Sequence, residues 1–192
     1  MPPPTPTRPP SPVSNKTWVA PEPIDCRGMP HLVLASLNRP IRGSFRGLKT
    51  ADKYCFRSAR SSAYNDGTYR AFLSSNDQDL RNVVTRSSQN LPICNVQGKM
   101  LFRSWTELVN NHGKYHSDAE ILSFRGKPLS QFNTNKIWHG STNRGIRESA
   151  GYCDSWRQSN DYNFGRVSYL DDHQLLKERS LRCDNTGILQ SS

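Results

Sequence analysis

An α+β fold is predicted: a mixed, mostly antiparallel sheet with a few short helices. Three observations lead there. The strand-like runs are brief and bounded by turn residues such as Pro40, Gly43 and Asn65-Asp66-Gly67. A few segments carry apolar residues at the three-to-four-residue spacing of one helical face. Strands and helices do not alternate as they do in βαβ units.

The 192 residues include 13 prolines, nine of them within residues 2–23. MPPPTPTRPPSPVSNKTWVAPEPID therefore reads as an extended, proline-stiffened linker, because proline removes backbone donors and the stretch has no apolar period. Asn15-Lys16-Thr17 fits the glycosylation acceptor triplet of secreted chains. HLVLASLN (31–38) is the expected first strand. Thr50 is the expected cap of a helix through Arg60, with Ala51, Tyr54, Cys55 and Ala59 inward and Lys53, Arg57 and Arg60 on another face. TYRAFLSS (68–75) alternates as a strand. Asn76 opens a second helix, with Leu80, Val83 and Val84 inside and Asp77 and Asp79 at its positive end. LPICNV (91–96) and KMLF (99–102) flank Gln97-Gly98 as a hairpin. Ser104-Trp105-Thr106-Glu107 matches a capping box, with Trp105, Leu108 and Val109 inward. EILSF and KIWHG are further short strands.

No apolar run approaches membrane-spanning length, and no signal segment follows Met1, as expected of a fragment or a chain without its leader if the protein is secreted. The net charge of +10 implies an acidic partner: nucleic acid, anionic lipid or sulfated polysaccharide. A solvated basic surface kept for solubility is the plainer alternative. Five cysteines stand at 26, 55, 94, 153 and 183 without a C-x-x-C. That spacing suits long-range disulfides and an oxidising compartment better than zinc knuckles.

HLVLASLN, FRGLKTADKYCF, GTYRAFLSSNDQDL, LFRSWTELV, ILSFRGKPL, WHGS and YCDSWR, in that order between residues 31 and 183, resemble the endostatin domain that ends type XV and XVIII collagens. The pair WHGS and YCDSWR, with fifteen positions from Trp138 to Cys153, is the most specific part. The resemblance implies a compact endostatin fold related to C-type lectin-like domains but without their calcium sugar site. It implies residues 31–192 as that domain and residues 1–30 as a hinge. It also implies a secreted matrix protein that binds heparan sulfate, matrix proteins and cell-surface receptors, is joined to a parent collagen trimer, and modulates adhesion, migration or vessel growth.

Sulfate has a fixed negative charge, so binding it takes clustered guanidinium and ammonium groups. The family's heparin-binding positions match Arg46, Lys49 and Arg157, with Arg86 at a secondary position and one family arginine replaced by Asn76. Independently, Arg39, Arg42, Arg46, Lys49, Lys53, Arg57 and Arg60 form a basic segment whose one acid is Asp52. We expect this segment and Arg157 to form one polyanion site, against the alternative of a solvated helix face. Trp105, Trp138 and Trp156 fit core positions better than sugar-stacking ones.

No nucleophile–base–orienter set is visible, so His139 is expected to be structural and the protein not an enzyme. His112 and His116 have a zinc-like i,i+4 separation, but Gly113 interrupts them and no HExxH is present. The zinc positions of vertebrate relatives correspond to Pro23, Asp25, Val33 and Gly98, and His31 alone cannot build a tetrahedral site. No metal or cofactor is expected. Two nested disulfides are implied. Cys153 and Cys183 match the inner pair, whose separation suggests about 3–4 kcal/mol. Cys55 matches one end of the outer bridge, but its partner position holds Ser191. The final apolar strand is expected to be divergent or truncated, with DNTGILQSS in its place. Cys26 and Cys94 have no family counterparts, leaving Cys55–Cys94 and Cys26–Cys94 as alternatives. A basic nucleic-acid binder is the second functional reading, without an RRM, KH or helix-turn-helix pattern. A secreted hydrolase using His139 is the third.

Overall fold

A computed structural model describes residues 25–115 and 118–192. Most of the proline-rich linker, Asn15-Lys16-Thr17, Pro23 and His116 lie outside the described residues.

The run 31–38 is not one strand but two. β1 (Leu32–Val33) pairs parallel with β4 (Ile93–Cys94), which continues antiparallel into β5 (Met100–Phe102). β2 (Ala35–Ser36) leaves that sheet and pairs antiparallel with β10 (Gln190–Ser191). Leu34, fully buried, sits between the two strands. The division lets one apolar run serve two sheets. β3 (Ile41–Arg42) pairs with β9 (Thr186–Gly187). The largest antiparallel sheet has the order β6 (Lys136–Trp138), β7 (Phe164–Tyr169), β8 (Arg179–Arg182).

Helix α1 spans Leu48–Arg60 and begins before the expected cap. Gly47, with φ 93°, is its N-cap, while the Thr50 hydroxyl donates back to the Arg46 carbonyl at 3.3 Å. Its inner face is as read: Ala51, Cys55 and Ala59 are buried, and Tyr54 packs partly against the same core. The capping-box helix α2 covers Trp105–Asn110. Ser104 Oγ accepts the Glu107 N–H at 3.0 Å, and the Glu107 carboxylate accepts from Arg103 N at 2.7 Å.

Three expected elements shorten. Residues 68–75 make only isolated bridges, Ala71 with Ser191 and Ser75 with Gln78. The helix expected from Asn76 is a 3-10 turn, Leu80–Asn82, although Leu80, Val83 and Val84 are buried as its pattern requires. EILSF likewise contributes only bridges, Ser36–Ser123 and Leu122–Pro128. In each case the apolar period registers burial, while the backbone is satisfied by short, isolated pairings rather than by a long ladder: residues 70–72 against Gln190–Ser192 and residues 122–124 against Ser36.

Thr186 to Ser191 hold the place of the expected final strand. Ile188, Leu189, Gln190 and Ser191 are fully buried, and Ile188 bridges to Ile137. The segment is divergent in sequence yet forms strand structure, because Ile188 and Leu189 supply the apolar contacts and β2 supplies the backbone partners. Two packed clusters make the interior. One gathers Phe45, Cys55, Leu73, Trp138, Trp156 and Leu189. The other gathers Leu34, Phe72, Ile93, Trp105, Ile137 and Ile188.

Candidate functional site

The site begins with an indole platform. Trp138 and Trp156 are fully buried and meet edge to face at 5.7 Å, and Phe45 stacks on Trp156 at 5.2 Å. The indole N–H groups of Trp105, Trp138 and Trp156 donate to the carbonyls of Arg81, Ile41 and Ser74 at 3.0, 3.0 and 2.8 Å. All three are therefore core, with their polar edges satisfied.

Cys153 to Trp156 form a left-handed turn: φ is 52°, 50°, 56° and 62° in order. Left-handed backbone costs a non-glycine residue roughly 1–2 kcal/mol each. The turn is held by the Cys153–Cys183 disulfide, by burial of Trp156 and by hydrogen bonds to the Tyr152 and Cys153 carbonyls. It ends at exposed Arg157. Gly43 lies hard against this disulfide; a Cβ there would sit 2.6 Å from Cys153 Sγ.

The turn meets the start of α1. Gly47 N donates to the Trp156 carbonyl at 3.1 Å, and a side chain at position 47 would put its Cβ 3.7 Å from Arg157 Nε. Arg46, at φ 67°, and Arg157 thus flank one backbone junction, with Lys49 in the first helical turn. No side chain caps this helix end, and no acid lies in its first turn. Such a terminus favours anions through its free N–H groups and dipole. Asp52, the one acid of the basic segment, is turned inward. Its carboxylate accepts the Ala71 N–H at 2.8 Å, and burial raises its pKa against the lowering effects of that bond and of Arg70.

Five arginines elsewhere are paired with acids: Arg27 with Asp25, Arg147 with Asp79, Arg166 with Glu148, Arg179 with Asp172 and Arg182 with Asp184. Among the described residues, Arg46, Lys49, Lys53, Arg57, Arg60, Arg86 and Arg157 have no carboxylate partner within 4.0 Å. Lys53, Arg57 and Arg60 are exposed along α1, with the Arg60 guanidinium over Phe56 at 5.6 Å. Arg57, however, lines a groove with Arg39 and Arg125. Arg86 lines another concavity, of about 620 Å³, with Arg81, Arg144 and His112. Neither hollow is lined by Arg46, Lys49 or Arg157. At Asn76 the carbonyl accepts from Arg147, so a guanidinium stands there despite the lost family arginine, but Asp79 neutralises it. Arg81, Arg125 and Arg144 were not singled out in the sequence. They sit in turns, where no periodicity reveals which surface they share.

His139 is fully buried. Its Nδ1 accepts the Ser141 N–H at 3.1 Å, so Nε2 carries the proton and donates to the Lys177 carbonyl at 2.8 Å. Burial brings its pKa down to about 4. With both ring nitrogens occupied, it has no free lone pair to take a substrate proton, which removes the basis for the hydrolase reading. His112 Nδ1 lies 3.0 Å from the Asn143 carbonyl and ties two loops. Among the described residues, no group of three His, Cys, Asp or Glu side chains is placed to hold a metal ion. His31 Nδ1 is hydrogen-bonded to the Met29 carbonyl at 2.8 Å.

Cys26 pairs with Cys94 and fastens residues 25–27 to the β4–β5 hairpin, deciding between the two alternatives. Cys55 is a buried free thiol whose pKa burial raises to about 12.

A family model described as "Collagenase NC10 and Endostatin" matches residues 31–191. The human collagen alpha-1(XVIII) chain is 37% identical over 165 residues. That match covers 83% of this chain and 9% of the human protein, so the chain spans only a small part of that curated relative. From the nested tryptophans to the Cys153–Cys183 bridge and the match over residues 31–191, the chain belongs to the endostatin family.

Proposed function

We propose that this domain binds heparan sulfate and heparin through Arg46, Lys49 and Arg157, with Lys53, Arg57 and Arg60 extending the contact along α1 and Arg86 forming an outlying one. Its family makes it an extracellular, matrix-associated, non-catalytic domain. Matrix proteins, cell-surface receptors and a parent collagen trimer are the further partners we propose, with modulation of adhesion, migration or vessel growth as the outcome.

One observation carries the reading. Two segments more than a hundred residues apart meet at the Gly47–Trp156 hydrogen bond, and the cations beside it have no acid partner among the described residues. Clustered, unpaired cations bind polyanions by releasing condensed counterions, whereas paired ones have already spent most of their field on a neighbour. Among the described residues, no helix is long and apolar enough to cross a membrane.

Arg46→Ala/Lys49→Ala/Arg157→Ala is expected to elute from a heparin column at clearly lower salt than the parent protein. Arg179→Ala/Arg182→Ala, which removes two charges already paired with acids, is expected to shift elution much less. Unchanged elution of the triple variant would refute the assignment. Competition between heparan sulfate and duplex DNA at physiological salt separates this reading from the nucleic-acid one; preferential capture by DNA would favour the latter.

A further inference from the structure

The groove holding Arg39, Arg57 and Arg125 differs in kind from the face around Arg46. We infer that it is a docking site for an acidic segment of a partner protein, one in which aliphatic or aromatic side chains are flanked by aspartates or glutamates.

Three separate pieces of chain build it. Arg39 follows β2. Arg125 is brought alongside by the Ser36–Ser123 bridge, with Phe124 N donating to the Ser36 carbonyl at 3.0 Å and Arg125 N to Asn38 Oδ1 at 3.1 Å. The far wall is α1, where Tyr54, Arg57, Ser58 and Ser61 have the i, i+3, i+4, i+7 spacing of one helical face. The hollow measures about 500 Å³, within the range of roughly 300–1,000 Å³ typical of ligand sites.

Its chemistry selects the occupant. Half-buried Ile41 and Tyr54 contribute apolar surface over the buried Leu37, and among the described residues the only charged ones lining it are three arginines. Among the described residues none of the three has a carboxylate partner. Guanidinium groups hold carboxylates through paired, planar donors. The negative end of α1 opposes this little, because its last carbonyls are occupied. Ser61 N donates to the Arg57 carbonyl at 3.1 Å and Ser61 Oγ to the Ser58 carbonyl at 3.0 Å. Ser62 Oγ donates to the Ala59 carbonyl at 2.6 Å. A sulfated saccharide satisfies the guanidinium groups but offers nothing to bury against Ile41 and Tyr54. An apolar side chain between two carboxylates satisfies both, and burying it adds about 25 cal/mol per Å² of apolar surface removed from water.

The test uses the full 192-residue chain and a fluorescein-labelled peptide, Glu-Asp-Leu-Phe-Asp-Glu, followed by anisotropy at physiological salt. The parent protein is expected to bind it. Arg39→Ala/Arg125→Ala is expected to bind at least about ten-fold more weakly, a loss of about 1.4 kcal/mol, while keeping its retention on heparin. Replacing the peptide's Leu and Phe by Ser is expected to weaken binding comparably. The Arg46, Lys49 and Arg157 variant is expected to keep the peptide and lose heparin, so the two sites fail independently. Arg57, common to both descriptions, stays unchanged throughout. Failure of the parent to bind, equal affinity for the double variant, or indifference to the Leu and Phe replacement overturns the proposal. Loss of heparin retention by Arg39→Ala/Arg125→Ala would make the groove an extension of the polyanion face and overturn it too.

Discussion

His139 shows how one residue's environment separates structure from catalysis. Burial disfavours its charged form, and its pKa of about 4 lies below the ordinary 6.5. Between these values the unfolded chain binds a proton that the native protein does not, so stability rises with pH through this window and falls on acidification. A difference of that size corresponds to a pH-dependent contribution on the order of 3 kcal/mol. The thermal midpoint is expected to drop as pH falls from about 6.5 towards 4. His139→Gln, though less stable at neutral pH, is expected to have a flatter profile over that interval. A parent midpoint that does not move across the interval would contradict the buried neutral imidazole. Sequence alone identified His139 as structural from the lack of a partner set; its tautomer, held by Ser141 and Lys177, exists only in the folded chain.

Among the elements, the left-handed turn at Cys153–Trp156 contributes most to the proposed site. Its strain is held by the disulfide to Cys183 and by the Trp156 ring against Phe45. Cys153→Ser/Cys183→Ser is expected to lose about 2–4 kcal/mol of stability. Heparin retention is also expected to fall under conditions where the variant remains folded, though no basic residue has changed. Denaturant unfolding measures the first effect and salt elution the second. Native elution would mean that Arg157 does not depend on the turn. The amphipathic face of α1 was legible because its buried residues recur with helical period. Its start was not, because Gly47 caps it without a side chain and the strongest local signal, Thr50, instead bonds backward to Arg46. Residues 68–75 and 120–124 have strand-like composition but form only bridges, since the extent of pairing depends on which segments the tertiary fold brings alongside.

At the scale of the whole molecule, the last residues close the fold. β10 pairs with β2, Ser191 also bridges Ala71, and Ile188 packs in the cluster of Ile137 and Trp105. Ile188→Ala is expected to cost roughly 2–5 kcal/mol, measurable as a lower denaturant midpoint. A change below 1 kcal/mol would place the segment outside the cooperative core. From the order of its motifs the chain's own sequence determined the endostatin family, the α+β class, the tryptophan core, the helix α1 and the Cys153–Cys183 pairing, because each follows from local period or from family motifs lying close together along the chain. Only the tertiary structure decided which cysteine joins Cys94, that Arg46 and Arg157 share one junction, and that Arg39, Arg57 and Arg125 share another hollow. The physical reason is that charge carries no periodicity of its own: an exposed arginine reads alike in any turn, and its neighbours are chosen by the packing of buried segments far away in the chain.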